Sequence, residues 1–461
     1  MIYLVLVAVV FFLHLLLKMN WIVSVLLLGL GLIAMPIHRK VVKQQKENEK
    51  RFFEASLYMD TVLYAFLKEE KVEAAIRDAA LTLPEGAMKE AVSRCHERLL
   101  MTSDDRNVME EALEEIAKEF SCKRIQDIHA FMVHVESYGG EIEKPVKLLL
   151  EDKGRWEKRI QKAMEERKKK LSDILLSVVF SLLICGVILY LPVLNVDISG
   201  NWIVQIFTLV VLAADDVVVL KAQKYLAVDW LTLGLSKDED YYVKKMQDFK
   251  SFDEKKEGRP SRILGCIGLA LSLVLLVLGK EWLASIGLFL SIFLFQQHKV
   301  GHSLLRKNLT KEISYAFPNW LLDLVLLLQS ENVHMALQKS RMHVPGVLRE
   351  ELDHLLERLE LEPESSEPYH QFLQEFSIPE VHSAMSSLYG LSIGNSMNGD
   401  RQMSELVTRN LTLLDITETK RLRDGGSGMY LLFLAPVLTA SFKMVIDMAL
   451  LMIYFIQNPY I

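Results

Sequence analysis

The chain has 461 residues, 51% of them hydrophobic and 24% charged, and a formal net charge of −6. A balance that mild gives no basic surface for nucleic acid. Four cysteines, Cys95, Cys122, Cys185 and Cys266, form no C-x-x-C spacing, which argues for reduced thiols filling space rather than a disulfide framework or a thiolate metal site.

The apolar residues fall in long runs separated by highly charged stretches, the pattern of a multi-pass membrane protein with soluble parts. In chain order the runs are Ile2–Leu17, Trp21–Ile37, Ile174–Leu194, Trp202–Leu220, Ile263–Leu278, Trp282–Phe295 and Met429–Ile456. The first lacks a basic leading segment and a small-residue cleavage site, and a second run follows at once, so it reads as a span and not a signal peptide. The turns Lys18-Met19-Asn20 and Gly279-Lys280-Glu281 close two tight hairpins. The predicted fold is an all-α integral membrane protein with about seven transmembrane helices and two tandem cytoplasmic helical-bundle domains.

Residues 1–37 form the first hairpin and 38–172 the first cytoplasmic domain. There Phe53, Leu57, Val62, Phe66 and Leu67 recur at helical spacing. The stretch MTSDDRNVMEEALEEIAKEF offers Thr, Ser and Asp as helix caps. Pro84 and Pro145 suit helix first turns, and Gly139-Gly140 is predicted to break two helices. The helix after Pro145 is expected to run through the basic Arg155–Lys170 stretch into the third span, with Arg167–Lys170 anchoring it at an anionic inner leaflet. Two spans fill 173–220. A linker at 221–261, charged with both signs, is expected to be partly helical at most. A second hairpin follows at 262–296 and a second helical domain at 297–428, with LREELDHLLERLELEP as its clearest amphipathic helix. Gly425, Gly426 and Gly428, in GGSG, are candidate hinge residues before the last span at 429–457.

Basic residues set the orientation. His38–Arg51, Arg155–Lys170 and Gln296–Lys311 are rich in Lys and Arg, whereas Val193–Asn201 has none. The positive-inside rule puts the large loops and the N-terminus in the cytoplasm and the C-terminal QNPYI outside. The chain also reads as a duplication: Trp21 and Trp282 are 261 residues apart, as are Pro84 and Pro345. Each copy is then a hairpin, a helical domain and one span. Two three-span copies joined directly would face opposite ways. The extra span Trp202–Leu220, with no counterpart in the second copy, keeps both domains on one side.

That span holds Asp215 and Asp216. Asp215 lies about 20 Å in from its outer end at 1.5 Å per residue, so about 10 Å from the inner boundary. Lys443 and Asp447 are spaced to pair on one face of the last span, and Lys443 is about 20 Å from the inner side, a depth that argues against a bridge to Asp215. Intramembrane charges are expensive and invite a functional reading. The alternative is that the two aspartates reach the cytoplasmic boundary or pack against partner helices. No P-loop, H-E-x-x-H or G-x-S-x-G is present.

The tandem helical domains, the break in ESYGGEIEKPVKLL before a basic helix that enters a span, and the openings YMDTVLYAFLKEEKVEAAI and FPNWLLDLVLLLQSENVHMAL resemble the type II secretion system F family of membrane platform proteins, most closely a TadB–TadC-like tandem. Two departures stand out: Glu70 and the neighbourhood of Glu331 stand where the family usually has Gly, and Met397-Asn398-Gly399-Asp400 replaces a second Gly-Gly. The resemblance implies a non-enzymatic plasma-membrane platform without cofactor or metal. Its expected partners are a cytoplasmic assembly ATPase, pilin-like subunits, other inner-membrane assembly proteins, lipids and further copies of itself. The rival reading is a transporter or ion- or proton-coupled channel using Asp215 and Asp216.

Overall fold

A computed structural model describes residues 2–100, 106–190, 198–232, 239–279, 281–329, 331–342, 344–394 and 399–457. The cap candidates Thr102 to Asp105, the residues Met397 and Asn398, most of the Val193–Asn201 loop and the last four residues lie outside them. Every regular element among the described residues is a helix. Five helices carry apolar stretches long enough to cross a bilayer, within Trp21–Glu69, Glu143–Val187, Trp202–Leu226, Gly258–Val277 and Arg401–Gln457. A sixth arises if Glu281–Phe295 and Lys299–Leu327, bent by 55°, count as one, while Tyr3–Leu16 is apolar but shorter. The protein is therefore membrane-embedded and all-α.

The chain divides into two compact units. Unit 1 comprises Met1–Ser137, Val146–Leu233 and Thr419–Ile461; unit 2 comprises Tyr138–Pro145 and Gly234–Glu418.

In unit 1, α1 (Ile2–Leu16) turns at Lys18 into α2 (Trp21–Glu69), which is 49 residues long and passes through Pro36 without ending. Its first part is apolar on all sides; its second half buries Phe52, Tyr58, Met59, Val62, Leu63 and Phe66 completely. Each such side chain contributes about 1.5–3 kcal/mol on burial. The helix stops because Glu70 takes a left-handed conformation (φ 55°) and returns its N–H to Phe66. Around this rod pack α3 (Val72–Thr82), α4 (Ala87–Leu100), α5 (Arg106–Phe120), α6 (Lys123–Tyr138) and the start of α7 (Glu143–Val187). Two helix starts are capped from elsewhere: the Glu54 carboxylate accepts the Met88 N–H (3.2 Å) and that of Glu136 accepts the Val72 N–H (2.6 Å). Gly86 is needed at the first of these, because a Cβ there would lie 2.2 Å from Glu54 Oε1.

The membrane part of unit 1 joins α1, the start of α2, the end of α7, α8 (Trp202–Leu226) and α17 (Gly428–Gln457). One apolar cluster holds Leu17, Met19, Val23, Cys185, Val211, Leu212 and Ala440; another holds Ile174, Val218, Ala222, Leu226 and Met429. The last span of the second sequence copy thus packs in unit 1.

Unit 2 contains α9 (Glu239–Lys250), α10 (Glu254–Val277), α11 (Glu281–Leu327), α12 (Val333–Ser340), α13 (Gly346–Leu361), α14 (Glu367–Gln371), α15 (Pro379–Ile393) and most of α16 (Gly399–Gly425). The charged linker is more helical than its mixed charge suggests, since α8 runs past Lys221, and α9 and the start of α10 fill much of the rest. Lys250, held by Glu350 (3.2 Å) and Glu351 (2.5 Å), ties α9 to α13. The α10–α11 hairpin closes on small residues: Ser272 Oγ donates to the Ala284 carbonyl (2.6 Å), and a Cβ on Gly268 would stand 2.6 Å from Ser291 Oγ. In the helical domain, Trp320 stacks on Phe372 (5.8 Å) and donates to Ser340 Oγ (3.2 Å). The order α2–α3–α4 recurs as α11–α12–α13, with α3 and α12 starting at Val72 and Val333, again 261 residues apart.

Candidate functional site

The polar residues inside the unit 1 bundle come from three helices. On α7, Ser177, Ser181 and Cys185 follow at intervals of four and share one face. All three are buried. Ser177 Oγ donates to the Phe433 carbonyl of α17 (2.6 Å). One turn on, Ser181 Oγ donates to Asp215 Oδ2 of α8 (2.8 Å). Asp215 is 3% exposed, and its Oδ1 is buried with no hydrogen-bond partner.

Asp216 points elsewhere, since adjacent helical residues lie about 100° apart around the axis. Its side chain is 48% exposed and meets His38 Nε2 of α2 at 3.2 Å, while His38 Nδ1 meets Gln223 Oε1 at 2.7 Å. The two aspartates therefore occupy different surroundings: one in the bundle interior, one half-exposed beside His38. Further along α17, Lys443 and Asp447 are fully buried and bond to each other. Asp447 Oδ1 has no hydrogen-bond partner. Lys443 takes Asp447 as its ion-pair partner, in keeping with the depths read from the sequence.

Gly425, Gly426 and Gly428 lie where α16 gives way to α17. Helical turning continues through them with tightened i to i+3 bonds: Gly426 N–H to the Arg423 carbonyl (3.0 Å), Ser427 to Asp424 (3.1 Å) and Met429 to Gly426 (3.2 Å). None of the three has a positive φ. Their small size admits close neighbours. A Cβ on Gly428 would stand 2.1 Å from the Tyr225 hydroxyl, and one on Gly425 3.3 Å from the Arg167 guanidinium. Gly139 (φ 73°) and Gly140 (φ 144°) do take conformations that favour glycine, between α6 and α7, with nothing crowding them.

Arg167 departs from the leaflet-anchor expectation. It is 3% exposed, lies 4.7 Å over the Trp230 ring, and donates to the Tyr225 carbonyl (2.8 Å) and the Leu422 carbonyl (3.5 Å). Its charge thus meets the carbonyl ends of α8 and α16, where a cation is favoured. Burial holds its guanidinium below the ordinary arginine range. Lys168 pairs with Glu49 (3.0 Å) and Lys170 sits 4.1 Å over the Tyr430 ring. The sequence carried a signal for this: Ile160, Ala163, Met164, Arg167, Leu171 and Ile174 mark one stripe of α7, so Arg167 falls on its apolar side.

In the helical part of unit 1, the Tyr58 hydroxyl meets His129 Nε2 (2.6 Å), both buried. Burial pushes the His129 imidazole down to about 3, against a smaller opposing effect of the Leu113 backbone. Burial, with Glu115 adding and Arg98 opposing, pushes the Cys95 thiol up to about 12, an unreactive state. Among the described residues no group of His, Cys, Asp and Glu is arranged to hold a metal ion. No protein-family model, curated protein or solved structure matches the chain.

Proposed function

We propose that the protein is a plasma-membrane platform of a type II secretion or type IV/Tad-like pilus assembly machine, coupling a cytoplasmic assembly ATPase to the insertion of pilin-like subunits. The observation that carries this reading is the pair of rod helices. α2 and α11, 49 and 47 residues long, each lead from an apolar stretch into a helical domain, α2 without interruption and α11 through a 55° bend between Glu281–Phe295 and Lys299–Leu327. A continuous helix transmits displacement along its axis because every peptide is tied to the next turn. In this reading all seven apolar segments count as spans, both helical domains face the cytoplasm, and the N-terminus lies inside. Force enters through the helical domains and reaches the membrane along α2, α7, α11 and α16. The Gly425–Gly428 turns let α17 move separately from α16. The ATPase, the pilin-like subunits, neighbouring membrane assembly proteins and further copies of the chain are the partners.

The test is co-purification of the full chain, in lipid nanodiscs, with the assembly ATPases of its own cell. Saturable, salt-sensitive binding supports the platform. Absence of binding by a folded, helical chain removes it, and a loss of transport confined to Asp215→Asn with Asp216→Asn would favour a transporter instead. Replacing Gly425, Gly426 and Gly428 by Ala is expected to reduce pilus assembly; unchanged assembly would refute the hinge.

A further inference from the structure

The geometry points to a proton-binding site at Asp215, inside the unit 1 bundle and independent of the pilin-assembly reading. The first argument is charge. Between the ends of the described unit 1 spans the charged side chains are Asp215, Asp216, Lys443 and Asp447. Asp216 is half-exposed and bonded to His38. Lys443 is committed to Asp447 on its own helix. Ser177 contacts the Phe433 carbonyl, so Ser181 and Asp215 stand about one turn further along α17, and Lys443 lies about 9 Å beyond that level at 1.5 Å per residue. Asp215 is left without a counter-charge in an apolar bundle, where an unpaired ion is costly.

The second argument is the unfilled atom. Ser181 serves Oδ2, while Oδ1 is buried and unpartnered. Besides Ser181, the polar and ionisable side chains on the packed helices include His14 of α1, His38 of α2, Cys185 of α7, Gln205, Thr208 and Asp216 of α8, and Lys443 and Asp447 of α17. None is bonded to that oxygen.

The third argument is ligand number. The two carboxylate oxygens and one hydroxyl are three ligands, whereas a hard metal cation takes about six or more oxygens. A proton needs one. Uptake is one proton from water bound at Oδ1, converting the carboxylate to a neutral carboxyl and removing one negative charge. Asp216, the next residue, and the His38 bonded to it are groups that can pass it on. The proton would thereby bear on the packing of α7, α8 and α17.

The test uses the full chain in lipid nanodiscs and infrared difference spectroscopy against Asp215→Asn. At mildly acidic pH the wild type is expected to show a carboxylic-acid C=O band that the variant lacks. The band should fade as pH rises and be indifferent to sodium. Ser181→Ala should move the band to higher frequency, because its hydroxyl bonds the carbonyl oxygen. That shift is readable even if Asp215→Asn fails to fold. A wild-type spectrum with only carboxylate absorption from Asp215, a band seen only when sodium is withdrawn, or a band unmoved in Ser181→Ala would overturn the site.

Discussion

The two hairpins are built from the same elements and held by different means. In unit 1, α1 and α2 pack with α7, α8 and α17 through clusters of Leu, Val, Met and Ala. In unit 2, α10 and α11 close on one another through Gly265, Gly268, Ser272, Gly287 and Ser291, while Ile263, Ile267, Leu271 and Leu273 stay exposed. In lipid, apolar side chains gain little by meeting one another, so close backbone approach does the holding. A hairpin held in this way depends on its glycines. One inside a bundle can spread its contacts over several partners.

The comparison can be broken first in the helical domains. His129 is buried in unit 1, whereas no histidine is buried among the described residues of unit 2. Neutral in the fold down to about 3 and with an ordinary value of 6.5, His129 takes up its proton more readily when unfolded. Its contribution is complete above pH 6.5 and is lost as pH falls toward 3, on the order of 4 kcal/mol over that window. Acid unfolding followed by fluorescence in detergent should therefore strike unit 1 before unit 2, and His129→Gln should flatten the pH dependence of unit 1.

Gly268→Leu comes next. Overpacking against Ser291 should destabilise the α10–α11 hairpin by about 1–3 kcal/mol. In the first hairpin, Gly29, which has nothing within 4 Å of a built Cβ, should accept Ala without loss. Thermal melts of the two variants test the contrast. Gly428→Ala should cost about 1–2 kcal/mol through the Tyr225 hydroxyl, with Tyr225→Phe in the same chain recovering part of it. The smallest effect is a gain. Glu70→Gly relieves a left-handed non-glycine cap and should raise stability by about 1 kcal/mol in chemical denaturation.

The helical class, the hairpin turns and the i, i+4 geometry of Lys443 and Asp447 were legible because each depends on local period and spacing. At Glu70 the structure shows a left-handed φ of 55°, a conformation that glycine adopts more easily than glutamate. What the sequence concealed depends on contacts between distant segments. Arg167 read as one member of a basic run, yet its stacking on Trp230 and its bonds to Tyr225 and Leu422 join residues up to 255 apart. Ser181 is unremarkable in a sequence until α8 brings Asp215 beside it. Apolar composition likewise did not reveal the 55° bend between Glu281–Phe295 and Lys299–Leu327, since it does not show where a helix turns.

The pairing on α17 also bears on how the chain is made. Lys443 and Asp447 belong to one helix four residues apart, so this span carries its own counter-ion from the moment it coils and can leave the insertion machinery electrically neutral. Asp215 has no such partner on its own helix. Its one protein donor, Ser181, is on a helix synthesised earlier, so α8 can settle into lipid only against a neighbour that is already waiting.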